Sequence, residues 1–314
     1  MTVLISSLSN KVPLVKAVRR ALEKLGVKGT VFGGDADSRC IGQYFVDRFW
    51  HMPPLSELSP EALISYCLRH SIRCVIPTRD GELPFFARQR EAFLQEGISL
   101  MISGGEQVST CLDKCRFYHR LSAWGYPAIK TAEVLDELQC QSYVVKERYG
   151  AGGRHIGLNL SKAAALDHAK GLQHPVFQPW IEGEEMSVDL YLDLSGRAKG
   201  VIARHREVVV DGESQVTVSK RNEKLESMCK EIAEALELYG HVLFQCIQDR
   251  RDRHLHLLEC NPRFGGASSL SLAMGLDSFY WFFLEAMGED LSRYPFIRPQ
   301  EEKRLVRFKE DFIF

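Results

Sequence analysis

The sequence predicts two units in tandem: an α/β domain with a Rossmann-like parallel sheet over residues 1–110, then an α+β domain over residues 111–314. Three observations predict it. The chain opens strand–helix–strand and keeps alternating, which calls for a parallel sheet with right-handed crossovers. After Gly104-Gly105 the pattern changes to strands with few helices between them. A chain of 314 residues has room for about two domains. It can bury a sizeable core, about 75% of its unfolded surface.

The elements follow in order. Val3-Leu4-Ile5 is a β-rich run, and Leu14, Val15, Val18, Leu22 and Leu25 then recur at helical spacing up to a stop at Gly26. Thr30-Val31-Phe32 is a second strand, ended by Gly33-Gly34-Asp35. Periodicity predicts a helix over 61–70, a strand over 73–76, a helix over 83–96 and a strand over 98–102. In the second unit a helix over 113–124 is broken by Gly125-Tyr126-Pro127. Strands are predicted over 142–146, 176–179, 185–194, 198–206, 242–248 and 254–259, with helices near 162–172 and 223–239. No repeat, low-complexity tract or long Pro/Ser linker separates the halves, so they are expected to share an extended interface.

Composition narrows the function. The 45% hydrophobic and 26% charged fractions are ordinary globular values. Lys+Arg 40 against Asp+Glu 41 gives a net charge of -1, so no global basic field draws the chain to nucleic acid or a membrane surface. The nine cysteines are odd in number, lack a CxxC pair and sit mostly in apolar runs, which fits reduced thiols in the cytoplasm. No secretory leader pattern opens the sequence, and no apolar run reaches the ~18–20 residues that span a bilayer. Residues 279–287 (FYWFFLEAM), interrupted by Glu285, read as a buried helix or a dimer surface. His254 and His256 share a strand face without a third ligand, a weak case for zinc.

The first strand is followed by Ser6-Ser7-Leu8-Ser9-Asn10, which lacks the glycines a dinucleotide pyrophosphate needs for close approach. Pro77-Thr78-Arg79-Asp80-Gly81-Glu82 follows a buried strand and falls at the ligand-binding edge of such a sheet. Asp80 and Glu82 there are candidates to face a polar substrate. Asp80 is equally well read as the cap of the next helix.

Three motifs of the second unit carry chemistry. A strand ending on Lys146 leads into Gly150-Ala151-Gly152-Gly153, a point charge and a loop able to cover phosphates, or a plain hairpin turn. Gln178-Pro179-Trp180-Ile181 and Glu185 offer an apolar slot with edge hydrogen bonds and a carboxylate for ribose hydroxyls, or an ordinary interstrand loop. Glu259 and Asn261, two apart on a strand end, point to one face. Such an oxygen pair suits Mg²⁺ beside phosphates, and Arg263 adds a bidentate phosphate donor.

In this order and spacing the motifs resemble the ATP-grasp superfamily, carbamoyl phosphate synthetase large-subunit-like members in particular. Residues 1–110, with Ile76-Pro77-Thr78-Arg79-Asp80, are similar to that group's pre-ATP-grasp domain, and 111–314 to its ATP-grasp domain, with a lid subdomain over about 125–182 and a C-terminal subdomain over about 183–314. The resemblance implies that Lys114 and Lys146 contact ATP phosphates under a lid formed by Gly150, Gly152 and Gly153. It implies that Gln178, Trp180 and Ile181 face adenine and Glu185 the ribose, that Gln245, Glu259 and Asn261 hold Mg²⁺ (or Mn²⁺), and that Arg263 stabilises the transferring phosphoryl group. Arg206 and Lys220 fall where relatives place a cation near substrate. Gln178 departs from the usual hinge glutamate. Gln245 replaces a carboxylate, which leaves Asp249 as another contributor.

The activity implied is ATP-dependent carboxylate–amine ligation through an acyl phosphate, with a small carboxylate such as an amino acid or small peptide, releasing ADP and phosphate. The alternatives are a nucleotide-binding sensor or partner subunit without ligase chemistry, and a kinase of a hydroxyl. A homodimer is the default assembly.

Overall fold

The apolar runs that open the chain become the centre of a five-stranded parallel sheet. Its strands are β1 (Thr2–Ser6), β2 (Thr30–Asp35), β3 (Arg48–His51), β4 (Cys74–Ile76) and β5 (Ser99–Leu100), in the order β3-β2-β1-β4-β5. Helices α1 (Val12–Lys24), α2 (Pro60–Arg69) and α3 (Leu83–Gln95) connect them. The chain winds outward in both directions from β1, so the loops after β1 and β4 flank the switch point where ligands of such sheets bind. The sequence reading missed β3, because Arg48-Phe49-Trp50-His51 is a half-exposed edge strand without a buried face to impose alternation. This computed structural model describes residues 1–150, 153 and 155–313.

Helices α4 (Gly105–Leu112) and α5 (Lys114–Ala123) lead into a small antiparallel sheet. It consists of β6 (Tyr143–Glu147), β7 (Gly157–Leu160) and β8 (Pro175–Pro179) in the order β7-β6-β8, with α6 (Lys162–Ala169) between the last two in the chain. Tyr143, Val145, Phe177, Leu135 and Ala165 form its own small core.

The largest sheet is antiparallel and has the order β13-β12-β9-β10-β11-β14. Its strands are β9 (Gly183–Leu192), β10 (Ala198–Val210), β11 (Glu213–Ser219), β12 (Gly240–Asp249), β13 (Leu255–Asn261) and β14 (Arg304–Val306). Helix α7 (Glu223–Ala235) covers one face; α8 (Ser269–Ala273) and α9 (Ser278–Ala286) follow β13. The period of two along β9 divides the two faces. Met186, Val188, Leu190 and Leu192 pack with Leu225, Cys229, Ile232, Val242 and Phe244. Glu185, Ser187 and Asp189 point the other way.

The two halves share one core. Val3, Ile5, Leu14, Val15 and Val18 of the first pack with Tyr191, Phe279, Trp281, Phe282 and Phe283 of the second. The aromatic run is therefore the buried helix α9, docked on α1. Among the described residues no helix is long and apolar enough to cross a membrane. Burial pushes the thiols of Cys67, Cys74 and Cys246 up to about 12, so these cysteines stay protonated and act as packing groups.

Candidate active site

Strand register builds the polar face of the large sheet. One rung runs Glu259–Gln245–Ser187–Arg204 across β13, β12, β9 and β10, and the next runs Asn261–Leu243–Asp189–Ile202. Residues far apart in sequence thus stand side by side. Asn261 Nδ2 donates to Glu259 Oε1 at 3.1 Å, and Asn261 Oδ1 accepts from Arg263 Nη2 at 3.4 Å.

Lys146 lies on β6 and is buried. Burial pulls its ammonium down to about 8; Glu259 opposes that fall and Lys114 adds to it. Burial would raise the Glu259 carboxyl, but Lys146 and Lys114 outweigh it and hold the group below its usual value. The three side chains therefore converge. No described residue accepts a hydrogen bond from Lys146 Nζ, whereas Lys114 Nζ donates to the Gly150 carbonyl at 2.8 Å. A buried ammonium without an acceptor, next to a second ammonium, is a place for phosphate oxygens.

Asp113 anchors this corner, a role not read from the sequence. It accepts from the N–H groups of Cys115 (3.0 Å) and Arg116 (3.1 Å) at the start of α5, and takes both ends of the Arg148 guanidinium at 2.8 and 2.7 Å. Arg148 stands two residues before Gly150, so the root of the glycine loop is tied to the helix that carries Lys114. Gly153, at φ +66°, packs where a Cβ would lie 3.1 Å from Gly212 Cα in the β10–β11 turn. Gly152 lies outside the described residues.

The adenine-facing candidates follow β8. Gln178 is buried and donates to Thr131 Oγ1 at 2.8 Å, so its side chain is spent on the fold. Trp180 N donates to the Ser142 carbonyl at 2.9 Å, and Ile181 is buried.

Arg206 is engaged at every nitrogen. Nη1 donates to Glu185 Oε2 (2.7 Å) and Gln245 Oε1 (3.1 Å), Nε to Ser214 Oγ (2.9 Å) and Nη2 to the Gly212 carbonyl (2.7 Å). It positions Glu185 and Gln245 with Nη1, and one of the two Nη2 donors is left over, so the expectation of a cation near substrate there stays open. Gln245 is on the right face, but its carbonyl is already an acceptor for Arg206. Asp249 stands four residues along β12, about 13 Å away. It is tied to Arg251 by bonds of 2.8 and 2.9 Å, so it does not complete the metal set. Lys220 is exposed and lies beside His205, on the opposite side of β10 from Arg204 and Arg206.

Arg263 reaches back to the first domain. Its Nε donates to Asp80 Oδ1 at 2.7 Å and its Nη2 to Asp80 Oδ2, a bidentate latch between the β4 loop and the end of β13. Glu82 is fully buried and accepts from Ser7 Oγ (2.7 Å) and from the N–H groups of Thr78 and Arg79 (3.0 Å for the latter). Its carboxylate ties the β1 and β4 loops together from inside. It does not face a substrate, which corrects that expectation.

Ser278 Oγ, His241 and Asp189 form a relay at 2.8 and 3.1 Å that superficially matches a nucleophile triad, but all are sealed in the core. Among the described residues no group of three or more His, Cys, Asp and Glu side chains is placed to hold a metal. Glu259 with Asn261 therefore fits Mg²⁺ only in the form that takes most of its ligands from phosphate and water. Two shallow hollows that share Arg221 and Arg298 lie on the α7 side of the sheet, away from these groups, and hold no comparable constellation.

Residues 172–309 match the family described as ATP-grasp in the biosynthetic pathway with Ter operon, and residues 3–101 match the PylC-like, N-terminal domain. Three solved structures illustrate the fold. The biotin carboxylase domain of Hydrogenobacter thermophilus 2-oxoglutarate carboxylase, a dimer with MgADP and bicarbonate, is 17% identical, with a TM-score of 0.75 over 96% of this chain and 73% of that one. N5-carboxyaminoimidazole synthetase from Staphylococcus aureus, with ADP, is 15% identical (TM-score 0.70; 92% and 78% covered). An L-amino acid ligase from Bacillus licheniformis is 18% identical (TM-score 0.69; 96% and 78%). No curated protein sequence matches the chain significantly.

Proposed function

The chain belongs to the ATP-grasp superfamily, and from that premise we propose that it is an ATP-dependent ligase joining a small carboxylate to an amine. The observation that carries the reading is the buried ammonium of Lys146, without an acceptor, beside Lys114 and the Glu259–Asn261 pair. The lysines hold the phosphates. Glu259 and Asn261 would hold Mg²⁺, with Gln245 behind them, and the ion would supply charge neutralisation for phosphoryl transfer. A substrate carboxylate oxygen attacks the γ-phosphorus, the bond to the β-bridging oxygen breaks, and ADP leaves. The amine lone pair then attacks the acyl carbon, and phosphate departs with the electrons of the C–O bond.

Such chemistry asks the protein for position and charge neutralisation rather than a nucleophile. Buried, protonated thiols favour a cytoplasmic setting, and a homodimer is the expected assembly.

The test is ADP release with MgATP and a panel of amino acids, dicarboxylic acids and bicarbonate, with hydroxylamine present as the trapping amine. Acid-dependent ADP release together with an acyl hydroxamate is the expected result. Tight MgADP binding with no acid-dependent turnover would instead identify a nucleotide sensor, and a stable phosphate ester would identify a kinase.

A further inference from the structure

Two arginines on β10, Arg204 and Arg206, point to the same face of the large sheet, two residues apart. Their surroundings differ. Arg206 is engaged at every nitrogen, by Glu185, Gln245, Ser214 and Gly212. Arg204 is only 2% exposed, and only its Nε is bonded, to Asp189 Oδ2 at 2.7 Å. Its Nη1 is enclosed and has no acceptor. Its Nη2 makes no hydrogen bond to any described residue. An enclosed guanidinium nitrogen without an acceptor is costly, while Nη2 is not enclosed and stays open to a ligand. Such a group calls for a ligand.

The anchor behind it is rigid. Asp189 is fully buried; burial would raise its carboxyl, but Arg204 and His241 hold it well below the usual range. It accepts from Ser271 Oγ at 2.7 Å and from Ser268 Oγ, and lies 3.1 Å from His241 Nε2. With Nε fixed by this carboxylate, the Nη1–Nη2 edge is presented as a preset fork, which matches the two oxygens of a carboxylate.

The position sets the Arg204 backbone apart from Glu259. Along β9, Glu185 pairs with Arg206 at one end, and Asp189 holds Arg204 at the other, toward α8 and the first domain. Glu259 stands three strands from Arg204, about 14 Å at the backbone. A group on the fork is therefore distinct from the one that meets the γ-phosphoryl.

We propose that the Arg204 fork binds a carboxylate of the organic substrate that the reaction does not consume. The substrate is then a dicarboxylic acid or an amine bearing its own acid, and a simple monocarboxylate with a neutral amine is excluded. This rests on the ligase reading above.

The experiment is calorimetric titration of the full chain, with MgADP present, using L-amino acids, the dicarboxylic acids from malonate to adipate, methyl esters of each acid bound, and inorganic phosphate. The expected result is that at least one acid binds, that its ester does not, and that R204M and R204K weaken the acid roughly 10- to 150-fold, while MgADP affinity stays within about twofold of wild type. R204K keeps a cation beside Asp189 without a fork, so it answers the question even where R204M folds poorly. Unchanged acid affinity in R204K, equal binding of acid and ester, or no acid bound by wild type would overturn the proposal. Inorganic phosphate taking the site in preference to every acid would also overturn it, in favour of a phosphate group. Failure of wild type to bind MgADP would show instead that the ligase reading itself is wrong, and the anchor would fall with it.

Discussion

Replacing Glu82 separates a carboxylate that holds two loops from one that meets a substrate. The side chain accepts three hydrogen bonds, from Ser7 Oγ and from the N–H groups of Thr78 and Arg79. Thr78 is buried, whereas Ser7 and Arg79 can regain water. E82A therefore leaves one donor fully unmet and two partly so, a loss of roughly 2–4 kcal/mol at about 1–3 kcal/mol per buried donor. E82Q keeps an acceptor for the two N–H groups and can donate to Ser7 Oγ, so it should lose less than about 1.5 kcal/mol. Burial raises the Glu82 carboxyl against the opposing pull of Ser7, Thr78 and Arg79. The folded state thus holds more protons than the unfolded state between the ordinary carboxyl value and the raised one. The stabilisation is complete below the ordinary value and fades as pH rises through the folded value. Glutamine lacks this dependence, so wild type should lose ground to E82Q as pH rises from about 4.5. Urea denaturation of the three proteins at pH 4.5, 6 and 7.5 reads all of this. Equal stability of E82A and wild type would refute the loop-tie reasoning. So would an E82Q protein that folds normally but loses turnover.

Three other outcomes are expected. Metal-free ADP should bind more weakly as pH rises above 8, by up to about tenfold per unit, because phosphate restores the proton that burial makes Lys146 shed near pH 8; calorimetry on K146M should give a flat profile, and a parallel slope in both proteins would remove Lys146 from the phosphate site. E259A should abolish ADP release with its circular dichroism spectrum unchanged, and wild-type-like turnover would end the metal assignment. D80A should cost roughly 2–4 kcal/mol in urea denaturation, below the 3–5 of a fully buried pair because Arg263 and Asp80 are 17% and 15% exposed; a cost under about 0.5 kcal/mol would mean that the latch is slack.

Long apolar periods made most of the fold legible. The alternation in β9 and β12 and the helical spacing in α1 and α7 are imposed by a buried face. Edge elements were not legible: β3, β7 and β14 are short and half-exposed, so nothing forces a pattern on them. At the site, Lys146 and the Glu259–Asn261 pair stand out because a charge at the end of an apolar strand is unusual. The loop tie made by Glu82 was not legible, because a sequence states which group is present and not which partners it meets. Asp113 had a signal, an acid directly before a helix start, but its salt bridge to Arg148 spans 35 positions.

Arg204 and Arg206 make the same point in physical terms. They share residue type, strand and face, and a reading of residue types alone assigns them one role. What separates them is the supply of acceptors. Each charged group on this face has a partner that accounts for it: Arg206 has Glu185, Arg263 has Asp80, and Glu259 lies between two lysines. The bonds left over are the ammonium of Lys146 and the outer edge of Arg204, both cationic, with Arg204 Nη1 enclosed. Water does not balance the enclosed Arg204 Nη1, so the free chain carries its desolvation as a standing cost that a bound anion relieves. The two cations stand on different sheets, Lys146 on β6 and Arg204 on β10. A site built this way needs two anionic ligands at once, one phosphorylated and one organic, and its stability should rise more with both present than with the sum of either alone.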